Sequence, residues 1–347
     1  THSGTEMPHP PVLCALILTL LVCTASFPIG AATWSASAQG VPDACRSSNN
    51  FDEINAVGKT AFTANACRVL SERKLSRPLY YDAFGHVFLN EWTENHMKLL
   101  SQDFGEFLFE MPIRTAFYDA QVKQAMAEGI KQIVIIGSGL DCRPLRLHDP
   151  SVQFFEFDQS VMLDYKVSKL ATLPIPRYPS KLIRGDYLQL DMKRELQQVG
   201  FDAGLPALFI WEGNSMYVDP QQSRTMLRTI LQEFPHSKIA FDCVTDAISG
   251  AHPPTAELKW FYELSSFIVQ EVGVAPTWQA CDVHEMAREV PFKIVELSSL
   301  WDLCLRYRDD QGLDETFGGR AGFEATQGWM KHYMHCLATR AASGPAT

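Results

Sequence analysis

Four short apolar runs in this 347-residue chain each end in residues able to do chemistry. Residues 132–136 (QIVII) lead into Gly137-Ser138-Gly139-Leu140-Asp141-Cys142-Arg143. A glycine pair there lets the backbone turn tightly and approach a ligand closely. Residues 152–157 (VQFFEF) lead into Asp158, at the distance where an acidic side chain accepts hydrogen bonds from ribose hydroxyls. Residues 181–184 (KLIR) lead into Gly185-Asp186-Tyr187, a carboxylate able to accept from an adenine amino group beside a stacking ring. Residues 207–211 (ALFIW) lead into Glu212-Gly213-Asn214-Ser215-Met216-Tyr217, a polar cluster directly beneath such a pocket. Together these four ends describe a site for an adenosine-like ligand.

The glycine loop also excludes alternatives. A nicotinamide or flavin fingerprint needs a third glycine where Cys142 stands, and no phosphate-gripping G-x-x-x-x-G-K-[ST] occurs. A ligand without a pyrophosphate needs fewer glycines. An NAD-linked oxidoreductase, or a non-catalytic binding protein on the same fold, are the alternatives that remain.

The elements that must hold these residues follow from patterning. Two further apolar runs, 238–241 (KIAF) and 292–297 (FKIVEL), bring the total to six. Apolar runs separated by helical material imply strands buried on both faces. The expected fold is therefore α/β, a doubly wound and mostly parallel sheet. Before them, residues 52–74 and 93–127 carry apolar residues at spacings of three and four and read as helices. The expected organisation is one domain over 41–347, with a helical cap at 41–130 and an α/β core at 131–347.

Residues 1–40 stand apart. VLCALILTLLV at 12–22, followed by Ala36-Ser37-Ala38, reads as a signal-like segment, although no Lys or Arg precedes it. A membrane anchor is the rival reading, against which stand the short run and its interruption by Pro28 and Gly30. A membrane partner is expected only if this segment is retained, and it points to the secretory pathway.

Composition narrows the partners. Forty acidic against 30 basic residues give a net charge of -10, the wrong sign for a phosphate-backbone binder, so no nucleic-acid partner is expected. The 9 cysteines form no C-x-x-C pair, and His86, His252 and His284 show no ligand spacing, so no metal site is expected. Arg143 and Arg146 read as ties between the glycine loop and acidic neighbours, Asp141 as a helix cap, and Trp260-Phe261-Tyr262 as core.

The chain resembles the leucine carboxyl methyltransferase-like family of S-adenosyl-L-methionine-dependent methyltransferases over roughly 50–340. The resemblance is carried by SRPLYYDAF (76–84), PIRTAFYD (112–119), IIGSGLDCRPLRL (135–147), FFEFD (154–158) with Lys166 following, and IWEGNSMYV (210–218). It implies a class I, Rossmann-like methyltransferase fold and S-adenosyl-L-methionine as cofactor. It also implies that Arg114 pairs with the methionine carboxylate and that Gly137 and Gly139 pass close to that moiety. Asp158 then holds the ribose, Asp186 and Tyr187 flank the adenine, and Glu212 receives the ammonium. Tyr187 stands where the family has a small apolar residue, and an early lysine contact has Lys59 and Lys74 as its two placements. Family membership points to the cytoplasm, and the acceptor is a carboxylate or hydroxyl oxygen of a small molecule or protein C-terminus. No catalytic base is evident in the sequence, which favours a carboxylate or an acidic hydroxyl.

Overall fold

The computed structural model describes residues 51–71, 75–104, 110–175, 177–248, 258–273, 282–326 and 328–341. All of these lie within one compact unit, Gln39–Thr347, and the signal-like run at 12–22 lies outside the described residues. No helix among the described residues is long and apolar enough to cross a membrane.

Three helices come first: α1 (Ala56–Ser71), α2 (Glu91–Asp103) and α3 (Glu110–Ala127). Asn90 and Thr93 form a reciprocal capping box at the start of α2, so its first orphan N–H groups are satisfied. Residues 93–127, one periodic stretch in sequence, thus contribute to two helices. Strands and helices then alternate: β1 (Gln132–Ile136), α4 (Arg143–Arg146), β2 (Gln153–Asp158), α5 (Ser160–Leu170), β3 (Ser180–Arg184), α6 (Met192–Gln198), β4 (Leu208–Trp211), α7 (Pro220–Glu233) and β5 (Lys238–Val244). The remainder comprises α8 (Lys259–Val272), α9 (Val283–Glu289), β6 (Phe292–Ser299), α10 (Leu300–Tyr307), α11 (Asp310–Phe317), α12 (Arg320–Thr326) and β7 (Tyr333–Arg340).

Among the described residues, seven strands form one sheet in the order β3-β2-β1-β4-β5-β7-β6. The first five are parallel, whereas β7 runs antiparallel between β5 and β6. The doubly wound, mostly parallel sheet read from the sequence is therefore present. The seventh strand corrects the expectation that 292–297 is the last one. Its sequence YMHCLATR carries a histidine and only partial alternation, so periodicity did not expose it.

Side chains alternate across the sheet because the strand period is two. Ile133 and Ile135 of β1 join a core with Ile113, Phe117 and Val122 of α3 and Leu300 and Leu303 of α10. Val134 and Ile136 point the other way, to Leu196 of α6, Leu227 and Ile230 of α7 and Met286 of α9. Helix α3 therefore belongs to the packed layer against the sheet. α1 instead packs outside these layers with α2 and α8 through Ala66, Cys67, Leu100 and Leu264.

One polar pair interrupts the apolar core. Lys166 of α5 and Glu156 of β2 are fully buried and ion-paired, and Tyr178 donates to the second Glu156 oxygen at 2.7 Å. Removing one partner of such a pair strands a charge out of water. Lys166→Ala should therefore lower unfolding free energy by about 3–5 kcal/mol in urea titrations at pH 7. Lys166→Met combined with Glu156→Gln should lose markedly less, and equal losses would mean that the pair is not what the position needs.

Candidate functional site

A cavity of about 1230 Å³, counting the space at its mouth, opens over the carboxyl ends of β1 and β4. Ligands bind beyond the carboxyl ends of strands in open α/β sheets, where the chain reverses direction across the sheet. Here that place lies between β1 and β4, because successive strands add outward on one side of β1 and then on the other. The glycine loop and Glu212 to Tyr217 form the floor, α1 and α8 form walls, and Trp329 and Tyr333 close one side.

The floor is shaped by backbone that only glycine adopts freely. Gly137 has φ 64°, and a Cβ there would collide with the Asn214 amide, which itself donates to the Gly137 carbonyl at 3.2 Å. Gly139 has φ 47°, and its N–H donates to Asp158 Oδ2 at 2.6 Å.

Beneath the floor lies a buried ionic network. Arg143 Nε bonds Asp119 at 2.7 Å, while its Nη1 bonds Asp141 at 2.5 Å and Glu212 Oε2 at 2.7 Å. Arg146 grips both oxygens of Asp119, at 2.6 and 3.0 Å. Arg114 Nε donates to Glu212 Oε1 at 3.0 Å, and its Nη1 donates to the Tyr333 hydroxyl at 3.1 Å. Tyr333 passes its own proton toward Asp242 Oδ2 at 2.8 Å, and the Gly213 N–H donates to the same oxygen at 2.8 Å. Arg143 and Arg146 thus tie the glycine loop to acidic neighbours, as their sequence context suggests. Asp141 accepts from the Arg143 N–H at 2.8 Å, one residue before the α4 N-cap at Cys142.

Electrostatics divides the acids into two groups. Burial alone would raise Asp119, Asp141 and Glu212, but neighbouring guanidinium groups more than offset it and hold all three below the usual carboxylate range. Three arginines therefore face three ionised carboxylates. Asp242 and Glu110 lack such compensation. Burial lifts Asp242 to about 6 and Glu110 to about 8, with Arg114 opposing in both cases.

Of the residues singled out in the sequence, Arg114, Gly137, Gly139 and Glu212 line this one cavity. Asp158 stands behind the glycine loop, its Oδ1 accepting the Gln159 N–H at 2.7 Å as well. Asp186 accepts the Leu188 N–H at 2.9 Å, and Tyr187 packs against the core on the α6–α7 side of the sheet. These three residues lie outside the lining of this cavity. Lys59 sits over the Phe51 ring, 5.2 Å from its centre, and Lys74 lies outside the described residues, as does His252.

Two charged lining residues escaped the sequence reading. Arg68 of α1 is buried in the cavity wall, where its charge helps hold Asp141 and Glu212 below the usual carboxylate range. Glu110 is 2% exposed, and its Oε2 has no hydrogen-bond partner. A signal for Glu110 was present, since it lies one helical turn before Arg114, but helical periodicity does not say that both are inside.

The chain is similar to known proteins in sequence and in fold. Residues 61–231 match the family model described as leucine carboxyl methyltransferase. A Mycobacterium marinum protein named "Putative S-adenosyl-L-methionine-dependent methyltransferase" is 32% identical over 199 residues, 52% of this chain and 64% of that protein. A Mycobacterium bovis protein of the same name is 34% identical over 184 residues, 49% of this chain and 60% of its own length. The chain spans about 64% of the length of the first of these curated relatives. A DUF574 family protein from Streptomyces avermitilis shares the fold, with a TM-score of 0.53 at 13% identity over 82% of this chain and 97% of that one. So does a "putative methyltransferase" from Thermobifida fusca, with a TM-score of 0.51 at 13% identity over 81% and 94%.

Glu110 holds its proton more tightly in the folded chain than unfolded, where a glutamate titrates at about 4.3. Between that value and about 8 the native state binds the extra proton, so this group's contribution to stability falls as pH rises. Glu110→Gln removes the penalty. Urea midpoints should show the variant gaining on the parent by more than about 1 kcal/mol between pH 5 and pH 8. A difference independent of pH would contradict the assigned protonation.

Proposed function

We propose, from the match of residues 61–231 to the leucine carboxyl methyltransferase family model, that this chain moves a methyl group from S-adenosyl-L-methionine to an acceptor oxygen. One observation carries the reading: the buried Arg68 guanidinium, whose charge helps hold Glu212 below the usual carboxylate range, shares a cavity with that carboxylate at the ends of β1 and β4. A cation and an anion presented together suit the zwitterionic end of an amino acid.

The residues present fit that donor. Arg68 would take the methionine carboxylate, with Arg114 behind it holding Glu212 in place. Glu212, whose two oxygens each already accept from one arginine, keeps lone pairs for the ammonium. Ser138 Oγ, buried in the cavity lining without a partner, is a further polar group awaiting a ligand atom. Asp158 would hold the ribose hydroxyls, with Asp186 and Tyr187 toward the adenine. When bound, the donor supplies a sulfonium-activated methyl group. The protein's part is to align it with the acceptor oxygen and exclude water, and alignment accounts for most of such catalysis. The acceptor is a small molecule or a protein C-terminus carrying a carboxylate or hydroxyl.

Calorimetry on the full chain should detect S-adenosyl-L-methionine and S-adenosylhomocysteine, and no heat with NAD. Arg68→Ala should weaken the full donor by about tenfold or more, since charge-assisted hydrogen bonds are worth roughly 1.5–3 kcal/mol. The same variant should bind methylthioadenosine, which lacks the amino-acid end, as well as the parent does. Asp158→Ala should weaken all three nucleosides together. Binding of NAD alone, or no effect of Arg68→Ala on the full donor, would overturn this reading.

A further inference from the structure

We propose that Glu110 is the base that receives the methyl acceptor, and that the acceptor is an apolar, ring-bearing molecule presenting a neutral phenolic hydroxyl. The inference rests on the methyltransferase reading above and assigns its second substrate.

The cavity is apolar on the side away from the glycine loop. Phe261, Leu264, Ile268 and Val272 project from one face of α8, and Met111, Trp329 and Val244 complete that side. A planar or hydrophobic body is what such walls accept, because burying apolar surface stabilises it by about 25 cal/mol per Å². Glu110 adjoins Met111 at the start of α3 and lines the same space.

The other site acids already accept hydrogen bonds or ion pairs, and Asp242, whose Oδ1 is also unpartnered, does not line the cavity. Glu212 and Asp141 are held by arginines, and Asp242 Oδ2 accepts from Tyr333 and Gly213. Glu110 alone among them lines the cavity with a buried carboxyl oxygen, Oε2, that has no hydrogen-bond partner, a costly arrangement unless a ligand supplies one. The groups around it are Cys67 and Arg68 from α1, Arg114 from its own helix, Tyr217 after β4, Asp242 from β5 and Tyr333 from β7. Burial and Asp242 raise the carboxyl and Arg114 lowers it, leaving it near 8, where it can both take and return a proton close to neutrality.

Charge selects the kind of acceptor. A carboxylate substrate would enter beside Glu110, Asp242 and Glu212, with Arg114 already shared between Glu212 and Tyr333. A neutral hydroxyl meets no such repulsion and offers the proton that Glu110 lacks when ionised. In the transfer, the hydroxyl proton passes to a Glu110 carboxylate oxygen as the acceptor oxygen bonds the methyl carbon. The carbon–sulfur bond breaks with its electron pair on sulfur, and Glu110 later returns the proton to water.

The test uses the full chain with 2-naphthol and 2-naphthoate as probes, each titrated in saturating S-adenosylhomocysteine at pH 6 and pH 8.5. The phenol should bind more tightly than the carboxylate, and the preference should grow several-fold with pH. In Glu110→Gln it should not change with pH. Infrared difference spectra of the parent chain should show one carboxyl band lost near pH 8 and missing from the variant. Methyl transfer to 2-naphthol should rise with pH through about 8 and fall by 10² or more in Glu110→Gln. A preference for 2-naphthoate, no naphthol binding, or no carboxyl titrating near 8 would overturn the proposal. If S-adenosylhomocysteine fails to bind while the naphthol and infrared results hold, the donor reading falls and the Glu110 site stands.

Discussion

Guanidinium groups buried at the ends of a parallel sheet can stay charged only if carboxylates are brought to them, and that requirement organises this site. Arg143 reaches it from α4, Arg114 from α3, and Glu212 from the end of β4. Asp119 on α3 and Asp141 on the glycine loop complete the balance. Every one of these pairs but Arg143–Asp141 joins separate elements, so the network fixes the first loop, the α3 layer and the β4 end relative to one another. Breaking such a pair costs about 3–5 kcal/mol because the abandoned charge has no water to turn to.

What the network does not neutralise is as informative as what it does. Arg114, Arg143 and Arg146 meet Asp82, Asp119, Asp141 and Glu212, Arg68 adds its charge to Asp141 and Glu212, and two acids, Glu110 and Asp242, are left that burial lifts above the usual carboxylate range. A buried cation and a carboxyl whose Oε2 lacks a partner, in one cavity, are poor choices for stability alone. They make sense as groups that complete their bonding when ligands arrive. Gly137 and Gly139 add the other requirement, backbone that comes close enough to be touched.

Much of this was legible in the sequence because strand ends are local. The runs at 132–136 and 207–211, with Gly137, Gly139 and Glu212 following them, mark the cavity floor without any knowledge of packing. Arg143 reads correctly as a tie to acidic neighbours, since Asp141 stands two residues away. What sequence could not give is which distant groups meet. Tyr333 reaches Arg114 from 219 positions away, on a strand whose pattern is too weak to see. Arg68 looks like any helix arginine until α1 is placed over the sheet. Glu110 looks solvated until α3 is found buried on nearly every side.

The central claim is that Arg68 and Glu212 are the two poles of a receptor for an amino-acid zwitterion. A crystal structure of the full chain grown with S-adenosylhomocysteine tests it most directly. The claim predicts the ligand carboxylate within hydrogen-bond reach of Arg68, its ammonium against Glu212, and the bonds from Arg143 and Arg114 to Glu212 intact. A ligand ordered elsewhere, or bound in the cavity with its amino-acid end turned away from Arg68, would contradict it.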